Sequence, residues 1–308
     1  MRAPGPAIVY LVTAEHAYTM GKFLDSWGRA WRDRIRVVSY AEALATPRSG
    51  LRARLPGARR LPERATWIFS DVERMTPAAA TSAAALWERL AAAGARLLNH
   101  PTRSMRRYEL LRTLHARGRN RFGVYRADEV RRPERYPVFL RDAHEHTGSR
   151  TPLLADEAAL DAALADLLSS GASRADTLVV EFCDTADAAG CYRKYSAFVV
   201  DGRVLPRHLF FAHEWQVKTA TSYAPGHLEE ERRYLAANPH EATLREIFAL
   251  ARIDWGRIDY ALLGDAVQVW EINSNPMILT AAHAEDGARR PVHEAFAARL
   301  DAELLRLS

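Results

Sequence analysis

The run Arg257-Ile-Asp-Tyr-Ala-Leu-Leu-Gly-Asp-Ala-Val-Gln-Val-Trp-Glu-Ile-Asn-Ser-Asn-Pro276 reads as a β-hairpin with acidic and amide oxygens on one face. Side chains alternate along a strand, so Asp259, Ala261 and Leu263 share one side of the first strand. Val267, Val269, Glu271 and Asn273 share one side of the second. A turn over Gly264, Asp265 and Ala266 pairs Leu263 with Val267, Ala261 with Val269 and Asp259 with Glu271. Two carboxylates then face each other, and like charges directly opposite destabilise a sheet. A cation between them removes the conflict. Magnesium suits the place, because it takes one or two protein carboxylates and completes its octahedron with water and substrate phosphates. Asn273 adds a neutral oxygen. Tyr260, Leu262, Trp270 and Ile272 read as the buried opposite face, and Asn273-Ser-Asn-Pro276 as turn chemistry that ends the strand. The competing reading is a surface hairpin whose polar face is solvated.

Asp259, followed by Glu271 and Asn273 in Glu-Ile-Asn-Ser-Asn-Pro, resembles the metal-binding signature of the ATP-grasp superfamily. The form is similar to that of carboxylate–amine ligases of the ribosomal-protein and peptide glutamate ligase type. The resemblance implies ATP as cosubstrate and one or two magnesium ions, or manganese, held by Asp259, Glu271 and Asn273. It also implies an α/β chain, α+β in its C-terminal part. An N-terminal pre-ATP-grasp domain over residues 1–98 precedes a two-subdomain ATP-grasp fold, divided into 99–180 and 181–308. Met277 departs from the pattern, since many such ligases continue with glycine after the proline.

At 308 residues the chain is long enough for two or three subdomains. Its 48% hydrophobic and 26% charged content describe a soluble globular protein rather than a disordered or membrane-spanning one. The first residues carry Pro4 and Pro6 and are followed by Glu15 and His16, which fits a buried first strand better than a signal peptide. With Cys183 and Cys191 alone, and no zinc-type spacing, a disulfide framework is not expected and a reducing cytoplasm is the default. The net charge of +5 raises the question of a nucleic-acid partner, but no recognised motif supports one. Only Lys22, Lys194 and Lys218 among the 43 basic residues are lysines, so the charge reflects a bias toward arginine across the chain.

Residues 7–12, 35–40, 66–70 and 95–99 read as strands, with helices over 21–31 and from Thr76-Pro77 to Gly94, which predicts an α/β unit with a parallel sheet. A Pro/Arg/Gly-rich connection covers residues 46–64. No glycine fingerprint follows the first strand and Gly-x-x-x-x-Gly-Lys-Ser/Thr is absent, which excludes dinucleotide and Walker-type readings.

Further along, a basic helix over 103–117 precedes a strand over 136–141, a polar loop over 142–149, a packing helix over 156–170 and a strand over 177–183. The family resemblance gives these segments roles. Arg106 or Arg107 stands for a helix lysine, and Arg141 for the lysine that reaches the nucleotide phosphates; arginine pairs phosphate oxygens bidentately. Glu181, Phe182 and Cys183 form the hinge that meets the adenine and sugar. In the hairpin over 192–208, turned at Asp201-Gly202, Lys194 is assigned to the nucleotide. Arg193, Arg207 and Lys218 are assigned to the reacting groups. His144 and His146 without a third ligand do not make a zinc site.

The implied reaction joins a small-molecule or peptide carboxylate to an amine through an acyl phosphate, releasing ADP and phosphate. Alternatives on the same scaffold are a small-molecule phosphotransferase and a non-catalytic ATP-binding protein. No membrane partner is expected, and nucleic acid is disfavoured. A C-terminal helix over 291–305, with Ala295, Phe296, Leu300 and Leu304 on one face, is expected to dock internally rather than against a second chain of a homo-oligomer.

Overall fold

A computed structural model describes residues 6–45, 62, 64–129, 132–219 and 225–308, so most of the connection expected over 46–64 lies outside the described residues. The N-terminal unit runs β1 (Ile8–Val12), α1 (Tyr18–Leu24), β2 (Ile35–Ser39), α2 (Tyr40–Leu44), β3 (Thr66–Phe69), α3 (Pro77–Ala92) and β4 (Arg96–Leu98). Its sheet has the order β2-β1-β3-β4, and every pair is parallel. β1 is buried along its whole length because both faces are covered. Ile8, Tyr10 and Val12 join one core with Met20, Phe23 and Trp31, while Val9 and Leu11 join another with Ala83, Leu86 and Leu90 of α3. Thr76 caps α3 by accepting from Ala79 N, and Pro77 opens it. The first helix is shorter and earlier than 21–31: α1 stops at Leu24, and a separate 3-10 turn covers Arg29–Trp31. Gly28 packs directly under Phe23, whose ring leaves no room for a side chain there.

The chain continues through α4 (Arg107–Ala116), β5 (Val124–Arg126), β6 (Val138–Asp142), α5 (Glu157–Ser169) and β7 (Thr177–Glu181). These strands form an antiparallel sheet in the order β5-β7-β6, against which Leu160 and Leu164 of α5 pack. The C-terminal part holds β8 (Tyr192–Val200), β9 (Arg203–Ala212), α6 (Pro225–Ala237), α7 (Glu241–Ala251), β10 (Trp255–Leu263), β11 (Ala266–Asn273) and α8 (Arg290–Leu307). Its sheet is antiparallel in the order β11-β10-β8-β9. Asp201 and Gly202 both have positive φ, the conformation a two-residue turn of the I′ type requires between β8 and β9.

The hairpin of β10 and β11 keeps the expected pairing of Asp259 with Glu271, but a bulge beside it changes the rest of the register. The turn is two residues, Gly264-Asp265, with Gly264 at φ +58°, so Leu263 faces Ala266 and Tyr260 faces Val269. The pairings of Leu263 with Val267 and Ala261 with Val269 do not form. Trp270 is the extra residue of the bulge. It is released from the half that should have been buried and is free to line a cavity.

Asn99 fixes this hairpin to the first unit. It is fully buried at φ +63°, accepts from Asp254 N at 2.8 Å and Trp255 N at 3.0 Å, and donates to Trp255 O at 2.7 Å. The start of β10 is thereby joined to the end of β4. α8 docks internally: Phe296, Leu300 and Leu304 share a core with Ile8, Tyr10, Phe198 and Trp255, while Ala295 is exposed and Val292 joins the neighbouring core of Ile258, Tyr260 and Val269. Phe296 is fully buried with its ring 5.3 Å from Phe198. Phe296→Ala should therefore destabilise the chain by about 3–5 kcal/mol, measured by urea unfolding, with a midpoint independent of protein concentration. A loss under about 1 kcal/mol would mean that α8 does not close this core.

Candidate active site

A cavity of about 340 Å³ opens between the β5-β7-β6 sheet and the face of the four-stranded sheet that carries the hairpin. One end is aromatic. Trp215 sits 4.9 Å from Phe139 and 5.8 Å, edge-on, from Phe182, with Cys183 beside them. The other end is charged, with Asp259 and Glu271 facing Arg141, Lys194 and Lys218. Gly148 has φ +91°, a backbone conformation that favours glycine, and a Cβ there would crowd Lys218 Cε at 3.1 Å, so the loop after β6 lies close against Lys218. Lys194, Ser196 and Asp259 share a sheet face, because Ser196 pairs with Asp259 across β8 and β10 and Lys194 is two residues earlier. Burial lowers the Lys194 pKa, partly offset by Asp259.

The two hairpin carboxylates are held differently. Asp259 Oδ1 accepts from Ser196 Oγ at 2.7 Å and Arg257 Nε at 3.0 Å, while among the described residues its Oδ2 has only a 3.4 Å contact with Arg257 Nη2. Glu271 Oε2 accepts from Arg141 Nη2 at 2.6 Å and Arg107 Nη2 at 2.7 Å. Among the described residues its Oε1 has only His146 Nδ1, at 3.4 Å. Each carboxylate thus keeps one oxygen with long contacts alone. That donor set fits a hard divalent cation. Asn273 is buried beside them but does not line the cavity; its Oδ1 accepts from Asn275 N at 2.8 Å. Among the described residues Arg107 Nε and Arg141 Nε are buried without a partner, and Arg141 lines the cavity, which suits an anionic ligand with further acceptor oxygens.

Other expected residues stand apart. Phe182 and Cys183 line the cavity, but Glu181 turns away. Its carboxylate accepts from Gly123 N, Glu134 N, Arg135 and Tyr125 Oη, all at 2.9–3.2 Å, leaving no free face for a sugar. Arg193 reaches the rim, with its guanidinium on Glu230 at 2.7 Å and Asp187 at 2.6 Å. Arg207 occupies a bulge of β9 and points at α8: Nε donates to Ile278 O at 3.2 Å and its guanidinium stacks on Phe296. Burial, with Arg257 and Arg289 nearby, lowers its pKa to about 9.

Three solved structures, of two proteins, share the fold. ATP-grasp ligase PsnB, complexed with a phosphomimetic variant of its minimal precursor, Mg and ADP, matches with a TM-score of 0.53 at 14% identity, covering 97% of this chain and 98% of that one. PsnB with its minimal precursor matches at 0.52 and 14%, covering 95% and 99%. A RimK domain protein ATP-grasp from Sphaerobacter thermophilus matches at 0.49 and 18%, covering 95% and 98%. The chain has the ATP-grasp fold. No protein-family model and no curated protein matches the sequence.

Within this ATP-grasp fold, three residues to which the sequence assigns no part at the nucleotide site shape the charged end. Arg257 shares a strand face with Asp259 two residues on, a signal that period two makes visible. His146 lies 3.4 Å from Glu271 on one side and 3.0 Å from Glu73 on the other. Burial disfavours its charge, but the two carboxylates outweigh that and raise its pKa. Glu73 comes from the first unit, and nothing in the local sequence points to it. Burial alone would push Glu271 up; Arg107, His146 and Arg141 hold it well below the usual carboxylate range.

Burial likewise raises Glu73, but His146 and Ser274 more than offset it and bring its pKa from 4.5 to about 2. A depressed folded-state pKa stabilises the fold above the unfolded value and loses that contribution as pH falls through the folded one. Glu73 should therefore contribute on the order of 3 kcal/mol above about pH 4.5, fading toward about pH 2. Urea unfolding across that range should show the gap between wild type and Glu73→Gln closing on acidification; a constant gap would contradict it.

Proposed function

We propose that the chain is an ATP- and magnesium-dependent ligase that joins a carboxylate to an amine. The observation that carries this reading is one cavity holding an aromatic end, a set of cations and two facing carboxylates with spare oxygens. PsnB, of the same fold, is an ATP-grasp ligase with one structure containing a phosphomimetic variant of its minimal precursor, Mg and ADP, and another with its minimal precursor. The aromatic end, with Phe139, Phe182 and Trp215, receives the base of the nucleotide. Arg141, Lys194 and Lys218 meet its phosphates.

Asp259 and Glu271 would hold magnesium through their spare oxygens, and Asn273 would join them by giving up the bond its amide oxygen accepts from Asn275 N. Bound there, the ion offsets charge on the phosphate oxygens. Phosphoryl transfer depends mainly on positioning and electrostatic stabilisation, so no covalent nucleophile from the protein is needed. A carboxylate oxygen of the substrate bonds to the γ-phosphorus as the bond to ADP breaks. The amine nitrogen then bonds to the acyl carbon, phosphate leaves, and the nitrogen gives up a proton to solvent. Arg141 and Lys218 offset charge as it shifts. The loop over 142–149, closed on the cavity through His146, Gly148 and Ser149, keeps water from the activated acid.

ADP release from ATP should require a carboxylate and an amine together, and should fall by roughly 100-fold or more in Glu271→Gln. ADP release with an alcohol alone, leaving a phosphorylated product and no amide, would replace this reading with phosphotransfer.

A further inference from the structure

The turn after β3 belongs to the N-terminal unit, yet it grips both loops at the charged end of the cavity. Glu73 is 3% exposed. Its Oε1 lies 3.0 Å from His146 Nε2 and accepts the Ser274 N–H at 3.2 Å, and its Oε2 accepts the Ser274 hydroxyl. The neighbouring residues make the same two connections. Val72 N donates to Ser274 Oγ at 3.0 Å, Arg74 Nε meets Glu145 Oε2 at 3.4 Å, and Glu73 O lies 2.9 Å from His144 Nδ1. One three-residue turn thus meets residues 144–146 on one side and residue 274 on the other.

A buried carboxylate without such partners would be strongly unfavourable, so Glu73 is committed to both loops at once. Across the cavity wall, His146 faces Glu271, and Ser274 directly follows Asn273. Arg107 closes the far side of the same loop by donating to Asp142 O at 2.7 Å and Glu145 O at 2.8 Å.

We infer that Glu73 is a positioning residue: acting through His146 and Ser274, it fixes the loop over 142–149 against the turn over 273–276, so that the N-terminal unit sets the geometry of the nucleotide site. What the two loops hold rests on the ligase reading; the coupling between them does not. Two consequences separate this role from simple support of the fold. Loosening the clamp frees both loops while the parallel sheet stays intact, and its effect on nucleotide binding runs through His146.

Amide hydrogen exchange without ligand, followed by calorimetric titration with magnesium and ATP, tests it on wild type, Glu73→Gln, His146→Gln and the double variant. Glu73→Gln should accelerate exchange across 142–149 and 273–276 together, leave β1 unchanged, and weaken nucleotide binding roughly tenfold or more. The double variant should bind no more weakly than the worse single one, because the two residues act as one unit. Unchanged exchange in both loops overturns the proposal, as does unchanged affinity where wild type binds. If wild type does not bind magnesium and ATP, the ligase reading fails, and the exchange comparison still decides the clamp. Should Glu73→Gln not fold, Ser274→Ala, which removes one hydroxyl from the same carboxylate, is held to the same exchange result.

Discussion

Two carboxylates opposed across an antiparallel hairpin repel each other, and the surrounding structure answers that repulsion. Asp259 is held by Arg257 and Ser196 on its own sheet, whereas Glu271 is held by Arg107, Arg141 and His146 from elements outside it. Removing a single cation from such a buried group leaves an uncompensated charge, a much larger penalty than the pair's net contribution. Helix α4, strand β6 and the loop after it are consequently tied to the hairpin by charge as well as by packing. The closing of the cavity and the orientation of its acids are one arrangement.

The same dependence reaches the first unit. Asn275 accepts from Tyr10 Oη at 2.9 Å and donates to His16 O at 3.2 Å, so the turn that ends β11 rests on the middle of β1 and the turn that precedes α1. Asn99 makes the reciprocal connection from β4 to β10. Tyr10, Phe198, Trp255 and α8 lie in one core, and the sheet bearing the acids therefore shares its apolar support with the parallel sheet. Local chemistry at the cavity has its foundations about a hundred residues or more away in sequence.

That separation explains what the sequence disclosed. Continuous apolar runs made the parallel strands legible, but the pairing of Asp259 with Glu271, which the sequence implies through a three-residue turn, forms only because the bulge at Trp270 offsets a turn one residue shorter. That bulge was not legible, since a single extra residue leaves alternation intact on either side and a two-residue turn at Gly264 competes with a three-residue one. Glu181 looked like a hinge acid by position; only the fold brings Arg135, Tyr125 and Gly123 around it. The family resemblance implies that Arg207 faces the reacting groups, but the bulge in β9 turns it toward Phe296. Helices α6 and α7 were not anticipated, although Leu244, Ile247, Phe248 and Ala251 of α7 lie at helical spacing and are buried. Glu73 carried no signal at all, because its partners are set by tertiary contact.

The claim on which the account turns is that the acidic hairpin and the cations above it form one magnesium-dependent nucleotide site. Calorimetric titration of ATP into the protein, with and without magnesium, tests it most directly when repeated on the Glu271→Gln, Asn273→Ala double variant. Saturable binding in wild type that needs magnesium and disappears in the variant is the predicted result. Binding that ignores both magnesium and the two substitutions, or no binding to the folded wild type, would contradict it.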